Sequence, residues 1–85
     1  MNLVFYTKDH CPLCEKGFEE VQQVAEEYQL VIEKIDIYSD DALLEKYQLM
    51  IPVVYYGEYE LGYGQLDANK LDAQLKRIQK EIQVL

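Results

Sequence analysis

Two cysteines stand three positions apart in the run Cys11-Pro12-Leu13-Cys14, and the chain has no others. At that spacing two thiols can close a small disulfide, hold two of a metal's ligands, or simply pack. The flanking residues favour the first use. A short apolar run, Leu3-Val4-Phe5-Tyr6, precedes the pair, followed by a polar turn at Lys8, Asp9 and His10. Pro12 sits where a helix can begin, because its missing N–H costs nothing at the first helical position. Cys11 would then lie at the helix cap, where unpaired N–H groups and the helix dipole stabilise a thiolate. Cys14, one turn further on, would face inward. Cys11 is therefore the expected nucleophile and Cys14 the resolving thiol of a disulfide exchange.

Lys8 could add positive potential at Cys11, or be a solvated turn lysine. His10 could act as an acid–base group, or be an exposed loop histidine. A zinc site normally needs four ligands, and the only candidates nearby are Cys11, Cys14 and His10. A dimer bridged through the pair to zinc or an iron–sulfur cluster is the second reading. A binding module without turnover is the third. Acid–base triads of cysteine hydrolases are not supported, since His10 is the only histidine.

The pair must be positioned by the elements around it. Cys14, Phe18, Val21, Ala25 and Tyr28 recur at helical spacing, and the acids and glutamines between them fill the opposite face. Val31–Ile37 reads as a second strand, with Val31, Ile35 and Ile37 on one side. Ser39-Asp40-Asp41 can cap a short helix through Leu43, Leu44 and Tyr47. Val53–Tyr56 reads as a third strand and Gly57-Glu58 as a tight turn. Tyr59–Leu61 reads as a fourth strand, ended by Gly62-Tyr63-Gly64. Asp67 caps a last helix with Leu71, Leu75, Ile78 and Ile82 as its buried stripe. The order βαβαββα predicts one α/β domain over residues 1–85, a four-stranded mixed sheet with helices on both faces.

Ile51-Pro52 opens the third strand. Proline there marks an edge, a strand's first residue or a cis bond. If the bond is cis, the Ile51 backbone would turn outward near the cysteines and could pair with an extended substrate.

Composition narrows the partners. The formal charge is −8, from 16 acidic and 8 basic residues. Residues 1–49 hold −7 of it and residues 50–85 the remaining −1. Nucleic acid and anionic membranes are therefore unexpected partners. No run approaches the ~20 apolar residues of a membrane span. The opening lacks a signal-peptide pattern. The expectation is a cytoplasmic monomer.

Together these residues resemble the thioredoxin superfamily, and within it the small bacterial glutaredoxin-like proteins. The resemblance spans the chain. It rests on Thr7-Lys8 ahead of Cys11-Pro12-Leu13-Cys14, on Ile51-Pro52-Val53, and on Gly62 beyond them. It implies a thiol–disulfide oxidoreductase with Cys11 as nucleophile, Cys14 as resolving residue and Pro52 in cis. It also implies a substrate site at Lys8, Leu13, Ile51, Pro52, Gly62 and Tyr63. No metal and no resident cofactor are implied. Its partners would be a protein or small-thiol disulfide and a reductant: glutathione, another low-molecular-weight thiol, or a thiol reductase. Glutaredoxins usually carry Thr-Val-Pro where this chain has Met50-Ile51-Pro52. They often carry Gly-Gly, Ser or Cys, and Asp where it has Gly62-Tyr63-Gly64-Gln65, with Asp67 arriving late. Leu13 replaces a common tyrosine. These changes remove hydrogen bonds to a charged tripeptide and weaken the expectation of glutathione dependence.

Overall fold

The computed structural model of the chain describes residues 2–83. Strand β1, Leu3–Thr7, is the short apolar run and buries alternate residues. It leads to helix α1, Pro12–Tyr28, with Cys11 as its cap in extended backbone. The helix ends at Gln29 in the left-handed conformation, whose N–H closes the last turn. Strand β2, Ile32–Asp36, follows. A 3-10 turn, Ile37–Ser39, is capped by the Asp36 carboxylate, which accepts the Tyr38 N–H at 2.9 Å. Asp40 caps helix α2, Asp41–Tyr47, in the same way through Ala42. Strands β3, Val53–Tyr56, and β4, Tyr59–Tyr63, form a hairpin, and helix α3, Ala68–Gln83, closes the chain.

The sheet order is β2-β1-β3-β4, with β1 parallel to β2 and the other neighbours antiparallel. The expected βαβαββα fold is present. On one face α1 and α3 pack against Leu3, Phe5, Val54, Tyr56 and Leu61, burying Val21, Val24, Leu71, Leu75 and Ile78. On the other, α2 and the 3-10 turn bury Ile37, Tyr47 and Val53 among Tyr6, Leu43, Leu44 and Tyr55. The rings of Tyr6 and Tyr47 stack there, centroids 4.6 Å apart.

Three boundaries differ from expectation. Val31 precedes β2 and is 64% exposed, while Ile32 packs on the α1–α3 core. Ile37 leaves the strand because Asp36 caps a turn there, and it anchors the second core instead. Strand β4 runs on through Gly62 and Tyr63, with Leu61 bulged between the Tyr55–Glu60 and Val54–Gly62 pairs.

Helices α1 and α3 are tied at two points. Glu20 Oε1 accepts the Ala68 N–H at 3.2 Å, filling the start of α3, and its other oxygen accepts from Gln23. Tyr28 donates to Asp72. Leu66, just before the Asp67 cap, and Leu71, four residues after it, form an apolar staple that fixes the entry into α3.

Candidate active site

Register places the candidate residues at one end of the sheet. Thr7 pairs with Asp36, Tyr6 with Val53, and Val53 with Tyr63. The segments following β1 and β4, and the one preceding β3, therefore emerge together. They carry Lys8 to Cys14, Ile51 to Pro52, and Gly64 to Asp67.

At this end Cys11 and Cys14 are joined as a disulfide, their Cα atoms 5.2 Å apart. Cys11 Sγ also accepts the Cys14 N–H at 3.2 Å, so the sulfur caps its own helix. Cys11 is 8% exposed and Cys14 only 2%. The outer position of Cys11 and the inner position of Cys14 agree with their expected places on the helix. His10 holds a left-handed backbone, φ 55°, immediately before the cap. For a residue with a side chain this is uncommon, and such conformations gather at functional sites.

Four of the remaining expected residues fall into three settings. Lys8 lines a small pocket of about 130 Å³ with Thr7, His10, Cys14, Glu15 and Lys34. Leu13, 42% exposed, lines a groove of about 620 Å³ that runs between α1 and the start of α3 past Gly17, Leu66 and Asp67. Gly62 and Tyr63 line a second groove, between β4 and α3, which shares Gln65, Leu66, Asp67 and Lys70 with the first. Gly62 faces inward, where an added Cβ would meet Leu66 and Leu71 at 3.3 and 3.4 Å. Tyr63 is 56% exposed.

The Ile51–Pro52 bond is cis, as the resemblance implies. Pro52 is fully buried, its ring against α1 at Gly17. The Ile51 N–H donates to the Tyr47 carbonyl at 3.1 Å. Strand-like pairing of a substrate through that N–H therefore requires this bond to open. Gly64, at φ 71°, donates its N–H to both the Met50 and Pro52 carbonyls, at 3.0 and 2.8 Å. The loop after β4 thus holds the segment before β3.

Three contributors escape a linear reading. Lys34 reaches the Cys14 pocket from β2, its ammonium 4.4 Å from the centre of the Phe18 ring. The parallel pairing of Lys34 with Phe5 sets this, and that pairing is not local in sequence. Leu66 touches both Gly17 and Gly62 positions; its signal was the apolar residue just before the Asp67 cap. Gly17, a glycine inside a helix, was itself a signal. Among the described residues no three His, Cys, Asp or Glu side chains stand together as a metal-ligand set. No described helix is long and apolar enough to cross a membrane.

A four-stranded mixed sheet flanked by helices, with a CxxC pair opening the first helix, defines a thioredoxin-fold protein of redox type. A family model described as a glutaredoxin-like domain (DUF836) matches residues 2–76, and the chain belongs to that family. Protein XcR50 from X. campestris is similar at 30% identity and TM-score 0.76, over 88% of this chain and 96% of that one. Protein Ne2328 from Nitrosomonas europaea is similar at 27% identity and TM-score 0.71, over 85% and 87%. Thioredoxin 1 from Thermosipho africanus shares the fold at 18% identity and TM-score 0.70, over 98% and 99%.

Proposed function

We propose that this protein is a dithiol oxidoreductase that reduces disulfides of proteins or small thiols. The observation carrying the reading is Cys11 Sγ at the cap of α1, accepting a helical N–H, with Cys14 buried one turn behind it. A thiolate at Cys11 would be stabilised by that N–H and by the helix dipole. In the reduced protein the Cys11 thiolate attacks one sulfur of a substrate disulfide. The substrate S–S bond breaks, a Cys11–substrate disulfide forms, and the other substrate sulfur leaves as thiolate. Cys14, deprotonated, then attacks Cys11 Sγ, expels the second substrate thiolate and closes the Cys11–Cys14 bond. Two electrons pass from the dithiol to the substrate, and the two dithiol protons end on its thiols. A thiol reductant or thiol reductase returns the pair to the dithiol.

Equilibration of metal-free protein across dithiol/disulfide buffers, with thiol trapping and intact mass, tests the reading. A single two-electron transition is expected, with a midpoint of about −200 to −270 mV. Cys11→Ser should abolish disulfide turnover. Two thiols that stay free across the series, or full turnover by Cys11→Ser, would overturn it; metal in the purified protein with a mass of two chains would point to the bridged dimer.

A further inference from the structure

We propose that Gly17 is a positioning residue for disulfide attack: its missing side chain lets the Pro52 ring seat against α1 one turn beyond the cysteine pair. The proposal rests on the dithiol reading. Gly17 lies one turn along α1 from Cys14, about 4.5 Å along the helix axis. An added Cβ there would stand 2.9 Å from Pro52 Cγ and 3.1 Å from Leu66 Cδ1. The first distance is shorter than side chains tolerate, so helix and proline would have to part. Pro52 is fully buried, and its carbonyl is held by Gly64, so the whole 50–52 segment would move with the ring. Helix α1 is otherwise regular, and glycine is disfavoured in a helix interior relative to alanine. Close approach of Pro52 is the compensating gain that this position shows. The Cys11 cap is built within α1 itself, from Cys11 Sγ and the Cys14 N–H. Displacing Pro52 leaves that cap in place. Gly17 therefore governs how an incoming disulfide is seated, and not how nucleophilic Cys11 is.

The test uses reduced full-length protein in single turnover. Bis(2-hydroxyethyl) disulfide and insulin serve as small and protein disulfides, and iodoacetamide reports the intrinsic reactivity of Cys11. For Gly17→Ala, attack on both disulfides should fall roughly tenfold or more, as expected for an ångström-scale misplacement. Alkylation should stay within about twofold, since thiolate stabilisation arises at the helix cap. Unchanged attack on disulfides would overturn the proposal. So would an equal fall in alkylation, which would place the effect on Cys11 itself, or a fall confined to insulin, which would make Gly17 a matter of groove width. Gly17→Ala/Leu66→Ala relieves the second contact and keeps the first, which also serves if the single variant folds poorly. It should retain the deficit, and recovery of the wild-type rate would transfer the role to Leu66. If wild-type protein attacks neither disulfide, the dithiol reading itself fails, a result separate from any difference between variants.

Discussion

Cys11 and Cys14 differ by one helical turn, and in the proposed exchange that turn separates their roles. There the sulfur at the cap meets substrate, while the one buried a turn behind it meets only the sulfur that substrate has already modified. Cys14→Ser should therefore still attack a disulfide once, but should then hold the Cys11 adduct. Intact mass after one equivalent of substrate checks this; release of both substrate thiols from Cys14→Ser would contradict the assigned order. The two cysteines and Pro52 were legible because residue type and spacing are facts of the linear chain. Lys34 and Gly17 were not legible as site residues. Lys34 reaches Cys14 across a parallel strand pair, and Gly17 has meaning only once Pro52 lies against it.

Among the elements, the pairing of α1 with α3 shows how polar contacts hold two helices that share one core. Glu20 fills the first turn of α3 from a position 48 residues away, and Tyr28 donates to Asp72 from 44 residues away. The helices and their apolar stripes could be read from periodicity. These ties could not, because nothing local distinguishes Glu20 from the neighbouring surface acids. The Tyr28 hydroxyl, and then Lys76, hold the Asp72 carboxyl below its ordinary range. Burial first, then the bond to Asp72, pushes Tyr28 up to about 12. The signs follow from linkage. A carboxyl lowered on folding contributes stability above its unfolded value, about 3.9, and loses it as pH falls through the folded value. A phenol raised on folding contributes below its unfolded value, about 10, and loses it as pH climbs toward the folded one. Tyr28→Phe should thus lower the urea midpoint at pH 7 and flatten both the acid and the alkaline limbs. Urea midpoints at pH 3, 7 and 11 check it; limbs identical to wild type would show that the tie does not couple folding to these protons.

Across the whole molecule, two small cores clamp one sheet, and the registers of its strands gather every candidate site segment at one end. The element order was enough to place the cysteines at such an end, since α1 must start where β1 stops. The early end of β2 depends on the Asp36 side chain capping a turn, and strand propensity does not report that. The chain carries a net charge of −8, which acts at a distance on anything that approaches. Reduction of a basic protein disulfide should slow as salt rises, and reduction of an acidic one should quicken. The Debye length shrinks from roughly 30 Å at 0.01 M to about 10 Å at 0.1 M ionic strength. Second-order rate constants for the two substrates over that range give slopes of opposite sign; parallel slopes would mean that net charge plays no part in encounter.

The single amide of Gly64, shared between the carbonyls of Met50 and Pro52, gives the site its own clock. Deuterium can replace that proton only when the clasp over the proline segment comes undone. Its exchange rate, followed by NMR in the oxidised and reduced protein, measures how often the loop after β4 lets go of the proline segment, independently of any turnover.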